Sequence, residues 1–155
     1  MNQQVTRKTR PSLKIVSSSA ARTLLLILAA FWLTATSLAQ SQPTVKVASS
    51  TLGDILVGPN GMTLYTFAND QPDGSSCTGG CALNWPPLTV SGELVAPSGL
   101  PGELEAFTRQ PDEETGEYKT QVTYNGQPLY YWSRDMAPGD VSGQGIGDLW
   151  FVAKP

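Results

Sequence analysis

Histidine is missing from all 155 residues. That absence excludes Ser-His-Asp and Cys-His nucleophilic catalysis, the two-His-one-carboxylate iron site and imidazole-held zinc. Cysteine is nearly as scarce: Cys77 and Cys81 are the only two, at C-x3-C spacing. A redox dithiol usually has C-x-x-C and a c-type haem site C-x-x-C-H, so neither is indicated. In an oxidising compartment a structural disulfide is the default for such a pair, with a redox role as the minor alternative. Basic residues are rare beyond Arg22. Residues 40–155 carry five Lys and Arg against thirteen Asp and Glu, a net charge of −8. Such a surface repels phosphate backbones and excludes nucleic acid as a partner. Nothing in the composition calls for a cofactor, and no segment after residue 40 keeps a helical period.

What is present begins with an address. Arg7, Lys8, Arg10, Lys14 and Arg22 precede the apolar run Thr23–Leu33, and Ser37-Leu38-Ala39 supplies the small residues that signal peptidase requires. Eleven residues fall short of the ~20 that cross a bilayer. The pattern predicts a signal peptide over 1–39, cleaved after Ala39, and a single secreted domain over 40–155 with no stable membrane span after cleavage. Gln40 stands where a lipoprotein would carry its acylated cysteine, so no lipid anchor is expected. The predicted location is therefore secreted or periplasmic.

The domain is written twice. NGMTLYTFAND (Asn60–Asp70) returns as NGQPLYYWSRD (Asn125–Asp135) at an offset of 65 residues. Without a gap, residues 60–85 overlay 125–150 with eight identities, among them Tyr65/Tyr130, Asp70/Asp135 and Trp85/Trp150, and Phe67/Trp132 is a like-for-like aromatic exchange. A duplicated unit follows, with repeats over about 44–90 and 105–155. Local signals are those of β structure. Strands are expected over Thr44–Ser49, Asp54–Val57, Met62–Phe67, Glu105–Arg109, Glu117–Tyr124, Gln127–Ser133 and Asp148–Ala153. Asn125-Gly126 predicts a two-residue hairpin turn with positive φ at both centres. A single helical turn fits within Cys77–Asn84. The expected fold is all-β: two hairpin-based units related by a pseudo-twofold, forming one compact sheet or sandwich with a short disulfide-stapled loop.

Strand geometry interprets the motif. Tyr65 and Phe67 lie two apart and share a face, as do Tyr130 and Trp132, while Leu64, Leu129 and Tyr131 point the other way. The rings of Tyr65, Phe67, Tyr130 and Trp132 should fill one shared core, with Trp85 and Trp150 at matching positions around it. Trp85 is expected to close that core; a surface platform for a sugar or a proline is its alternative. Asp70 and Asp135 fall just past their strands, where a carboxylate accepts downstream backbone N–H groups and fixes the exit turn. Their alternative is a calcium site in each repeat, assisted by Asp73 or Asp140, although neither loop has EF-hand spacing.

These residues resemble a bacterial family of secreted repeats of unknown function, also described as predicted lipoproteins with a Yx(FWY)xxD motif. The likeness runs through Y-T-F-A-N-D, C-T-G-G-C-A-L-N-W-P-P-L, Y-Y-W-S-R-D and L-W-F-V and covers nearly all of residues 40–155. It implies an exported two-repeat domain and offers no catalytic residue to carry over. Two departures stand out: Gln40 in place of a lipid-bearing cysteine, and Gln127 where relatives often have histidine.

Three functions remain in order of expectation. The first is a non-catalytic exported module binding an extracytoplasmic partner or envelope component. The second is a divalent-cation domain using Asp70 and Asp135. The last is a carboxylate-based hydrolase: thirteen acids are available for a catalytic pair, but most fall in predicted turns and tips, which ranks it third.

Overall fold

The computed structural model describes residues 42–112 and 115–155, all of which belong to one compact unit, Gln40–Pro155. The predicted signal segment over 1–39 lies outside the described residues. Short strands dominate: β1 (Lys46–Ser50), β2 (Gly53–Val57), β3 (Tyr65–Phe67), β4 (Thr89–Val90), β5 (Leu104–Thr108), β6 (Thr120–Tyr124), β7 (Gln127–Pro128) and β8 (Trp150–Val152). Among the described residues, helical structure is limited to α1 (Gly80–Asn84), inside the segment expected to hold a turn, and to a 3₁₀ turn at Ile146–Asp148. The latter sits 65 residues after Cys81–Leu83, so the turn recurs with the repeat.

The strands pair in small antiparallel sheets: β1 with β2, β3 with β8, and β4-β6-β5 with β7 also on β6. The long motif strands expected over 62–67 and 127–133 are thus broken into shorter pieces. The reason is a change of partner. Leu64 N–H donates to Leu56 of its own hairpin, but Tyr65 N–H donates to Tyr130 O at 2.8 Å and Tyr130 N–H returns a bond to Tyr65 O at 2.9 Å. Each motif strand therefore leaves its own hairpin and joins the other repeat at its tyrosine.

The bonds around this crossing exchange under the repeat. Ala153 N–H donates to Leu64 O at 2.8 Å and Leu88 N–H to Leu129 O at 2.9 Å; Ala68 N–H donates to Leu149 O and Ser133 N–H to Asn84 O. Each pair maps onto the other at the offset of 65, which places the Tyr65–Tyr130 bridge on the pseudo-twofold. The hairpins themselves are not identical. In the second, Asn125 (φ 50°) and Gly126 (φ 76°) make the tight turn between β6 and β7. In the first, of the equivalent pair Asn60-Gly61 only Gly61 has positive φ (83°). The loop between the paired residues Val57 and Thr63 is one residue longer than that between Thr123 and Pro128.

Two apolar clusters fill the interior. One gathers Val45, Leu56, Leu64, Leu88, Val122, Tyr124, Leu129 and Ala153, with Tyr131 packed against it. The other gathers Ile55, Val57, Tyr65, Cys77, Trp85, Tyr130, Trp150 and Val152, with Phe67 and Trp132 packed against it. The two clusters are the two faces of the motif strands: alternation sends Leu64 and Leu129 to one side and Tyr65 and Tyr130 to the other.

Candidate functional site

The chemistry-bearing residues of both repeats meet in the aromatic cluster. Trp85 and Trp150 stack on the pseudo-twofold with centroids 3.8 Å apart and planes 2° from parallel. Trp132 lies on the outer face of Trp85 at 4.1 Å, and Phe67 on the outer face of Trp150 at 4.3 Å. Each outer ring thus comes from the opposite repeat to the tryptophan it covers. Tyr65 meets the edge of Trp85 at 5.4 Å and Tyr130 that of Trp150 at 5.2 Å. Trp85 is 4 % exposed, so it is the middle of a stack and not a surface platform. The Arg134 guanidinium caps the Trp132 end at 5.6 Å.

The tyrosines also cross between repeats through their hydroxyls. Tyr65 Oη donates to Asp135 Oδ2 at 2.6 Å, and Tyr130 Oη donates to Asp70 Oδ2 at 2.5 Å. The spacing of the motif explains how each aspartate arrives. Asp70 N–H closes a turn on Phe67 O at 3.0 Å and Asp135 N–H on Trp132 O at 3.2 Å. The strand therefore ends at its second aromatic ring, and the third residue beyond swings its carboxylate back under the sheet. There both aspartates are more than nine-tenths buried.

The remaining oxygen of each carboxylate is occupied in the same way. Asp70 Oδ1 accepts from Ser76 N–H at 2.7 Å and from Ser76 Oγ at 2.9 Å. Asp135 Oδ1 accepts from Ser142 N–H at 3.1 Å and from Ser142 Oγ at 2.5 Å. The donors lie six and seven residues downstream, farther than the immediate exit turn expected from the sequence, so each carboxylate closes a whole loop. Tyr65 Oη also accepts from Gly143 N–H at 3.2 Å. Burial, then the bond to its aspartate, pushes the ionisation of each phenol well above the ordinary value of 10.0. Burial alone pushes Tyr131 up to about 12.

At the loop of the first repeat a cation from the second joins the network. Arg109, nine-tenths buried at the end of β5, donates through Nη1 to Ser75 Oγ at 2.8 Å and to Gln121 Oε1, and through Nη2 to Cys77 O at 2.6 Å. Ser75 Oγ also accepts from Cys77 N–H at 3.2 Å, which leaves its own proton for Tyr130 Oη 2.7 Å away. A continuous path runs Arg109–Ser75–Tyr130–Asp70.

Cys77 and Cys81 form a disulfide that staples the approach to α1 and Trp85. Of the other candidate ligands, Asp140 turns its carboxylate onto the N–H groups of Met136 and Ala137 at 2.8 and 2.9 Å. Asp73 is exposed, with φ of 53°. Among the described residues no three His, Cys, Asp or Glu side chains stand close enough together to hold a metal ion. The groups around Asp70 and Asp135 are N–H and O–H donors, the surroundings of a hydrogen-bonded carboxylate. A calcium ion would instead need further oxygens turned toward it with their lone pairs. Sequence reasoning missed Ser75, Ser76, Ser142, Gly143 and Arg109. The serines escape the repeat alignment because the second loop is one residue longer, and Arg109 has no counterpart in the other half.

A family model matches residues 46–89 and 115–154, and each stretch contains one complete Tyr-to-Asp motif with its tryptophan. The chain belongs to the family described as a secreted repeat of unknown function. No curated protein and no solved structure matches it. The two copies of the family repeat are the two halves that exchange tyrosines, aspartates and rings across the pseudo-twofold. Among the described residues no helix is long and apolar enough to cross a membrane.

Proposed function

We propose that the chain is an exported, non-catalytic module that binds a component of the cell envelope. The observation carrying this reading is the closure of its conspicuous carboxylates. Asp70 and Asp135 are buried, and both oxygens of each accept hydrogen bonds from the protein itself. A general acid or base must reach a substrate proton, and a nucleophilic carboxylate needs an open face. Neither aspartate has one. The family description, a secreted repeat, fits a function outside the cytoplasm. The fold spends its motif on holding two halves together and leaves recognition to the surface.

The test is co-sedimentation of the exported protein with purified sacculi and, separately, with membrane vesicles of neutral and anionic lipid. Saturable binding to sacculi without release of soluble fragments supports the reading. Turnover of the bound material, or a saturable rise in melting temperature with calcium and not magnesium, overturns it in favour of the hydrolase or the cation domain respectively.

A further inference from the structure

We propose that the cavity beside Arg109 is a binding site for a monocarboxylate. The cavity has a volume of about 180 Å³, and its walls include Asp73, Ser75, Thr78, Phe107, Thr108 and Arg109. Its unusual feature is the charge in the wall. A guanidinium this deeply buried is ordinarily paired with an acid, because desolvation of an isolated ion costs several kcal/mol. Here the three acceptors of Arg109 are a hydroxyl, an amide and a backbone carbonyl, all neutral, and no carboxylate pairs with it among the described residues. The nearest acid along its hydrogen-bond path, Asp70, is reached only through Ser75 and Tyr130.

The geometry also identifies the vacant edge. Ser75 Oγ and Cys77 O stand 3.4 Å apart and take one N–H each from Nη1 and Nη2, so they occupy the end of the guanidinium fork. Gln121 takes the second proton of Nη1. Nε and the remaining Nη2 proton form the side edge, which has no acceptor among the described residues. Nε is not sealed from solvent either, since among the described residues the fully enclosed polar side-chain atom without a partner is Tyr124 Oη. Two adjacent N–H groups left without a protein acceptor, on a residue that lines the cavity, match the two oxygens of a carboxylate. Asp73 in the wall and a net charge of −8 over residues 40–155 disfavour a second negative charge, hence a monocarboxylate and not a phosphate or diacid. Phe107 offers an apolar contact for a short alkyl group.

The inference stands apart from envelope binding and has its own test. The exported protein is titrated with propionate, N-acetyl-dialanine and the C-terminal amide of that peptide, with phosphate at matched ionic strength, by calorimetry and thermal shift. Saturable binding of propionate, with little from phosphate and none from the amide, is expected. Binding of the peptide acid as well would assign the site to a chain end; binding of propionate alone would assign it to free short acids. Arg109→Lys, which loses the fork, should weaken binding at least tenfold. Thr108→Trp, at an exposed position on the cavity wall, should abolish it with the circular dichroism spectrum unchanged, and this variant decides the matter if the arginine substitution unfolds the protein. Absence of saturable binding by either carboxylate, equal binding of the amide or phosphate, or full binding by Thr108→Trp would overturn the assignment. Co-sedimentation with sacculi surviving in Thr108→Trp would leave the envelope reading intact.

Discussion

Tyr130 and Asp70 carry more of the fold than their positions in separate repeats imply. Removing the phenolic hydroxyl by Tyr130→Phe takes a charge-directed hydrogen bond from a buried carboxylate, and such bonds contribute about 1.5–3 kcal/mol. Chemical denaturation should show a loss of that order, and Tyr65→Phe should show the same through Asp135. Asp70→Ala orphans three donors at once, Tyr130 Oη and the N–H and hydroxyl of Ser76, so its loss should exceed that of Tyr130→Phe. The double variant should then lose less than the sum of the two; additive losses would show that the pair is not coupled. The phenols also set an alkaline limit. Their ionisation is raised in the folded state above 10.0, so the native protein holds protons that the unfolded chain releases. Stability contributed this way is fully present below pH 10 and falls as pH rises beyond it, by up to about 1.4 kcal/mol per pH unit for each phenol. Phenolate absorbance should therefore appear for Tyr65, Tyr130 and Tyr131 together with unfolding, and Tyr65→Phe or Tyr130→Phe should flatten the alkaline slope.

The turns joining the elements are where the two copies diverge, and where physical chemistry separates legible from hidden. Cys77–Cys81 closes a ring too small to restrict the unfolded chain much, so reduction should cost less than the ~3 kcal/mol of a fifteen-residue loop. Because the bridge ties the loop at Cys77 to α1 just before Trp85, reduction should alter the near-ultraviolet tryptophan signal while the far-ultraviolet strand signal persists. Loss of both together would show that the staple supports the whole fold. In the second repeat no disulfide guards the equivalent approach. Gly143 lies there against Tyr65 and Trp85, and an added Cβ would come within 2.8 Å of the Tyr65 ring and 2.9 Å of Trp85. Gly143→Ala should thus destabilise by roughly 1–3 kcal/mol, as overpacking does; an unchanged midpoint in denaturant would contradict that contact. The Asn125-Gly126 hairpin was readable because two residues alone impose its φ angles. So was the inward side of Tyr65 and Tyr130, since alternation is local. The truncation of the motif strands was not readable, because it follows from a change of hydrogen-bond partner sixty-five residues away. The same holds for the phenol–carboxylate pairs: Asp70 pointed to local N–H donors, and nothing in its neighbourhood named a tyrosine of the other repeat. Arg109 gave no signal at all, being one cation at the end of an expected strand.

Across the whole molecule, the ring stacks and the phenol–carboxylate bonds of the aromatic cluster join one repeat to the other. Tyr65 bonds to Asp135 and Tyr130 to Asp70; Trp132 covers Trp85 and Phe67 covers Trp150; the backbone bridge joins Tyr65 to Tyr130. Strand β8 of the second repeat pairs with β3 of the first, and Tyr131 N–H donates to Pro86 O in the matching place. A half cut between the repeats, such as 40–95 or 96–155, would keep its hairpin but expose Trp85 or Trp150 and leave a carboxylate without its phenol. Burying a large side chain contributes about 1.5–3 kcal/mol, and a chain of about sixty residues or fewer has little such burial to spare. Each half expressed alone should therefore lack near-ultraviolet tryptophan dichroism and titrate in urea without a cooperative transition, whereas the exported protein should unfold in one step. Mixing the two halves should restore the signal in proportion to both concentrations, because the Trp85–Trp150 stack exists only when the halves meet. A half that folds cooperatively by itself would refute this account of why the motif is written twice: each copy is built to complete the other.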